Sequence, residues 1–110
     1  MPEANIPDLV AITHDLRTAN RIPEIVLFGD RNFRGFQFRS NLSYPRISFS
    51  DTISSFIVID GLWEFFKHEE YQGKLGTGTK QFGVGYYPWV EDVGIPNDTI
   101  SGFRCVGFAP

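Results

Sequence analysis

From residue 24 the chain sets short apolar runs against polar breaks. Glu24-Ile25-Val26-Leu27-Phe28 is followed by Gly29 to Asn32 and then by Phe33-Arg34-Gly35-Phe36-Gln37-Phe38-Arg39, whose last four residues alternate. Alternation at period two in a β-branched and aromatic run predicts half-buried strands, and four polar or flexible residues between them suit a hairpin connection. Further strands are expected at Ile47-Ser48-Phe49 and Ser55-Phe56-Ile57-Val58-Ile59. The pattern then begins again with Leu62-Trp63-Glu64-Phe65-Phe66, a polar Lys67 to Glu70, and Tyr71-Gln72-Gly73, and it closes on a strand at Gly102-Phe103-Arg104-Cys105-Val106. Ahead of it, Pro7 and Asp8 suit a helix start, while Leu9, Ile12 and Leu16 fall on one helical face. This predicts a short helix over 8–18 within an N-terminal extension of residues 1–22.

The repetition is closer than a shared rhythm. Asp51-Thr52-Ile53-Ser54-Ser55 returns 47 residues later as Asp98-Thr99-Ile100-Ser101-Gly102, and Phe28, Phe33 and Gly35 return 38 residues later as Phe66, Tyr71 and Gly73. Each copy runs from an aromatic hairpin through a variable middle to an Asp-Thr-Ile-Ser turn that leads into an apolar strand. Short strands, frequent turn signals and eleven phenylalanines make the expected architecture all-β, with two antiparallel sheets packed face to face. A chain of 110 residues is one domain's worth, able to bury a single core.

Charge and composition narrow the functional classes. With 21% charged residues and a net charge of -3, no clustered basic face for nucleic acid is expected. Cys105 is the only cysteine, so no internal disulfide can form, and its place in a strand reads as a small buried hydrophobe. Glu3 and Asp8 precede any basic residue, and no apolar run reaches signal-peptide or membrane-span length. A cytoplasmic protein without membrane contact is the expectation.

Candidate catalytic groups do not assemble on paper. His14-Asp15 has no nucleophile marked out nearby, and His68 beside Glu69 and Glu70 reads as an exposed hairpin tip. Glu91 and Asp92 add carboxylates, but neighbours in a strand point to opposite faces. The glycines between Gly73 and Gly85 lack the Gly-Lys-Ser/Thr ending and following helix of a phosphate loop. A non-enzymatic protein is expected.

These residues together carry a family resemblance. The stretch from about Glu24 to Phe108 resembles a βγ-crystallin domain of two Greek-key motifs, on the aromatic hairpin signature at Phe28, Phe33, Gly35 and at Phe66, Tyr71, Gly73. The Tyr87-Pro88-Trp89 segment and the two Asp-Thr-Ile-Ser turns add to the likeness. The resemblance implies a two-sheet Greek-key β-sandwich over residues 23–108, with motif 1 at about 24–60 and motif 2 at about 61–108. Within the family it points to the calcium-binding, microbial-type branch. Those members carry Asn/Asp-Asn/Asp-x-x-Ser/Thr-Ser, similar here to Ser50-Asp51-Thr52-Ile53-Ser54-Ser55 and Asn97-Asp98-Thr99-Ile100-Ser101-Gly102.

By that resemblance the third residue gives a carbonyl, the fifth a hydroxyl, and the acidic second residue reaches across to the partner site. Site 1 would then hold Ca2+ with Gly29, Thr52, Ser54 and Asp98, and site 2 with Lys67, Thr99, Ser101 and Asp51, Gly29 and Lys67 contributing hairpin carbonyls. Hydroxyl, carbonyl and carboxylate oxygens are what a hard cation takes. One protein carboxylate per site implies modest affinity, on the order of 10⁻⁵ to 10⁻³ M. Ser50 and Gly102 depart from the family pattern at positions that are not direct ligands. No Asp-x-Asp-x-Asp-Gly loop is present, which excludes an EF-hand. The expected function is a calcium-stabilised domain, monomeric or weakly dimeric. The alternative is a protein-binding module or toxin- or inhibitor-like effector with purely structural turns, whose marker would be an exposed apolar loop at Tyr86 to Ile95.

Overall fold

The structure is a computed structural model and describes residues 22–109. The helix expected over 8–18 lies outside the described residues. Seven strands run in order: β1 (Glu24–Asp30), β2 (Arg34–Ser40), β3 (Ser55–Asp60), β4 (Leu62–His68), β5 (Gln72–Leu75), β6 (Gly85–Tyr87) and β7 (Gly102–Gly107), with a 3-10 helix at Val90–Val93. They form two antiparallel sheets, β2-β1-β3-β6 and β5-β4-β7. No described helix is long and apolar enough to cross a membrane.

The two repeats exchange backbone across the sandwich. Strand β6 belongs to the second repeat but pairs with β3 of the first, setting Phe56 opposite Tyr87. In the other direction Tyr44 bridges Phe103 of β7. The strand expected at Ile47-Ser48-Phe49 does not form; the chain turns at residues 48–51. Pro45 has no N–H for a ladder, and the Cys105 N–H donates instead to the Ser43 hydroxyl at 2.9 Å. One bridge at Tyr44 and a bond from the Ile47 N–H to the Ser101 carbonyl at 3.0 Å replace a ladder.

Strand alternation puts Ile25, Leu27, Phe56, Val58, Trp63, Phe65 and Phe103 between the sheets, all essentially without solvent exposure. Phe56 and Phe65 meet there with ring centroids 4.6 Å apart. Each such side chain contributes roughly 1.5–3 kcal/mol on burial, so the inter-sheet layer is the main source of cohesion. Cys105 is half-buried rather than enclosed, and packs against the edge of this core.

Both aromatic hairpins close the same way. Asn32 and Phe33 in the first, and Glu70 and Tyr71 in the second, take positive φ, followed by Gly35 at 80° and Gly73 at 74°. A left-handed aromatic residue is strained and persists only where its surroundings hold it. Edge-on ring contacts supply that hold, Phe28 to Phe33 at 5.6 Å and Phe66 to Tyr71 at 5.4 Å. The hairpins are also tied to the opposite repeat, since the Asn32 N–H donates to the Pro88 carbonyl at 2.9 Å and the Glu70 N–H to the Pro45 carbonyl at 3.0 Å.

Candidate metal centre

The two Asp-Thr-Ile-Ser turns are built alike. Asp51 has φ 64° and Asp98 φ 59°, a conformation that aspartate tolerates better than most residues. The Thr52 hydroxyl donates to the Phe49 carbonyl, and the Thr99 hydroxyl to the Pro96 carbonyl at 2.5 Å. Both threonine hydroxyls thus place their hydrogens inside their own turns.

Backbone bonds then cross the pseudo-symmetry. The Asp51 N–H donates to the Ile100 carbonyl at 2.9 Å, and the Asp98 N–H to the Ile53 carbonyl at 3.4 Å. Each aspartate thus hangs from the other repeat's turn. The hairpins join through Ser54 N–H to the Phe28 carbonyl at 3.0 Å and Ser101 N–H to the Phe66 carbonyl at 2.8 Å. Gly29 and Lys67 follow those carbonyls directly in the chain.

The two sets of residues are not equivalent in shape. Asp51, Lys67, Thr99 and Ser101 line one open depression of about 460 Å3, together with His68, Glu69 and Asp98. Its lining carries three carboxylates and one ammonium. Glu69, weighed from the sequence only as one of several carboxylates and as part of an exposed hairpin tip, is brought to this depression by the packing of the sheets. Arg46 forms an ion pair with Glu70 and stands 3.8 Å from Glu69, which holds this tip against the first repeat.

Gly29, Thr52, Ser54 and Asp98 are brought together as chain segments, but no described depression collects all four. Ser54 is buried, and its hydroxyl donates to Asn97 Oδ1 at 2.7 Å. Its oxygen keeps acceptor capacity beyond that bond. Gly29 is dictated by packing, because a Cβ there would sit 2.5 Å from the Phe36 ring.

The second set is lined by hydroxyl- and carboxylate-bearing residues together with His68, and among the described residues no group of three or more His, Cys, Asp or Glu is gathered that could hold a metal ion. The Tyr86 to Ile95 segment is largely committed to the core: Val90 and Ile95 are buried, Tyr87 and Trp89 pack against them, and the Arg31 guanidinium lies 4.3 Å over the Trp89 ring. Tyr86 is left exposed.

Paired sheets, exchanged strands and folded aromatic hairpins define a double Greek-key domain. Comparison with known proteins agrees: the beta/gamma crystallin family model matches residues 24–106, and this chain belongs to the βγ-crystallin family. A βγ-crystallin from an archaeon is 31% identical, covering 78% of this chain and 100% of that one with a TM-score of 0.71. The βγ-crystallin of Ciona intestinalis is 28% identical over 74% of this chain and 98% of its own, with a TM-score of 0.68. A transition-metal-ion-binding βγ-crystallin from Methanosaeta thermophila, 23% identical, shares the fold over 74% of this chain and 99% of its own, at a TM-score of 0.60. No curated protein matches.

Proposed function

We propose that this is a non-enzymatic Ca2+-binding βγ-crystallin domain in which the ion links the two Greek-key motifs and raises their stability. The observation that supports this reading most is the single depression lined by Asp51 of one motif and by Lys67, Thr99 and Ser101 of the other. Asp51 would supply the carboxylate, Ser101 the hydroxyl, and Thr99 and Lys67 main-chain carbonyls. Asp98, Ser54, Thr52 and Gly29 would do the same for the other ion. Bound there, calcium supplies charge that offsets the facing carboxylates and a bridge between turns joined otherwise by a few hydrogen bonds.

A ligand that binds only the folded state stabilises it by RT ln(1 + [L]/Kd), about 1.4 kcal/mol per site at ten times Kd. That is a useful fraction of a small domain's stability. Calorimetric titration of chelator-treated protein with CaCl2, paired with thermal melts, tests the reading. Two binding events and a raised melting temperature are expected, with Ser54→Arg and Ser101→Arg each removing one event. Absence of heat and of any melting shift up to about 10 mM Ca2+, beyond the weak end of extracellular-type sites, would overturn it and leave the turns structural.

A further inference from the structure

The Ser54 and Ser101 turns are docked alike by their backbones. The Val90 N–H donates to the Ser54 carbonyl at 3.0 Å, and the Ile47 N–H donates to the Ser101 carbonyl at 3.0 Å. Val90 and Ile47 are both buried, so each motif sets an apolar anchor against the serine of the other. This equivalence makes Val90 the counterpart of Ile47, and Glu91 the counterpart of Ser48.

Beyond the anchors the two motifs differ. After Val90 the chain enters its 3-10 helix, which Gly94 closes in the left-handed conformation at φ 80° with its N–H donating to the Glu91 carbonyl at 3.2 Å. The main chain of Glu91 is thus held directly after a buried residue. Its side chain then reaches forward, since Glu91 Oε2 accepts the Asn97 N–H at 3.1 Å, and Asn97 Oδ1 accepts the Ser54 hydroxyl at 2.7 Å. These bonds close a ring that leaves Ser54 by its hydroxyl and returns to its carbonyl through Asn97, Glu91 and Val90. In the first motif the matching positions are Ser48 and Ser50, so the Ser101 turn is built without this carboxylate and carboxamide.

The ring decides where the Ser54 hydrogen points. A hydroxyl has one hydrogen and two lone pairs, and with the hydrogen held on Asn97 the oxygen presents lone pairs alone to the rest of its surroundings, as a hard cation requires. Ordering the group before the ion arrives removes part of the entropic cost of binding. We propose, on the calcium reading of the turns, that Glu91 is a positioning residue for the Ser54 site and sets the affinity of that site alone. It acts through Asn97 by two hydrogen bonds in series. The Ser101 site is independent of it.

CaCl2 titration of the chelator-treated full chain carrying Glu91→Ala or Glu91→Gln tests this, with amide exchange of Asn97 read in the metal-free state. Glu91 is exposed, so both variants should fold. The event that Ser54→Arg removes identifies the site. Glu91→Ala should weaken that event by about threefold or more, the equivalent of one net hydrogen bond, and leave the Ser101 event unchanged. Asn97 exchange should quicken in the same variant before any metal is added. Glu91→Gln keeps an acceptor oxygen and loses the charge, so it should restore both readouts to within about twofold of the unaltered protein. Equal losses in Glu91→Gln and Glu91→Ala would overturn the proposal, because Glu91 would then act by its charge or as a ligand. So would two unchanged binding events in Glu91→Ala. No heat from the unaltered protein would overturn the calcium reading itself, and the role of Glu91 with it.

Discussion

The Ser54 hydroxyl donates to Asn97 Oδ1 at 2.7 Å across 43 positions of sequence. It is a direct side-chain tie between the two turns. Its counterpart is weakened by sequence, since the position matching Asn97 in the first turn is Ser50. Asn97→Ala should cost about 1 kcal/mol, the usual net worth of one such bond. Melting curves check that figure. In calcium titration the same variant should weaken one binding event more than the other.

Gly102 stands where the family pattern has serine, and the structure supplies a reason. A Cβ there would lie 2.8 Å from the Pro45 carbonyl oxygen and 2.9 Å from that of Tyr44. Gly102→Ser should therefore destabilise by about 1–3 kcal/mol through overpacking against backbone, although it restores the pattern. The matching Ser55 is fully buried, donates to the Asp30 carbonyl at 2.6 Å and accepts from the Phe33 N–H at 3.0 Å. Ser55→Ala should cost about 1–3 kcal/mol, because two hairpin groups lose their partner. Denaturant unfolding of both variants would read the two effects.

Glu64 is a buried carboxylate whose pH behaviour follows from its surroundings. Burial pushes its pKa up, but the bonds from Lys74, Gln81 and Arg104 outweigh that and hold it below the ordinary value. A depressed folded pKa contributes stability above the ordinary carboxylate value of about 4.3. That contribution is lost as pH falls through the lower folded value. Glu64→Gln should lower stability near neutral pH by about 1–3 kcal/mol, less than for a fully enclosed pair since Lys74 and Arg104 can regain water. The deficit should shrink toward acid, which melts at a series of pH values would reveal.

Metal preference offers a separate check on the candidate centre. If the proposed oxygen ligands hold the ion, the protein should respond to Ca2+ and show little response to Ni2+ at equal concentration, whereas His68, which lines the same depression, would favour Ni2+. Asp51→Asn should weaken the Lys67–Thr99–Ser101 site by about tenfold or more while leaving the other event in place. Titration of chelator-treated protein with each metal in turn decides this. A larger stabilisation by Ni2+ would count against the oxygen ligand set.

Much of the fold was legible because it rests on short-range pattern. The β-branched and aromatic runs Ile25 to Phe28 and Trp63 to Phe66 marked strands, and the spacing of Phe28, Phe33 and Gly35 marked a hairpin whose rings meet edge-on. Ile47-Ser48-Phe49 misled, since an apolar alternation of three residues carries no information about its partner. The Ser43 hydroxyl and the missing N–H of Pro45 removed the ladder that it needed. Glu69 went unnoticed as a neighbour of the candidate centre because its hairpin tip meets Asp51 and Ser101 only after the sheets pack.

By itself the sequence determined the all-β class, the doubled unit and the residues able to offer hard oxygen ligands, all of which depend on neighbours within a strand or turn. Tertiary structure alone decided which turn each aspartate hangs from. It also decided that Gly102 must lack a side chain, and that the matching outward faces are apolar at Val26 and Ile57 but charged at Glu64 and Arg104 in surroundings as well as in type. These outcomes turn on contacts between residues about 30 or more positions apart, and no local spacing encodes such distances.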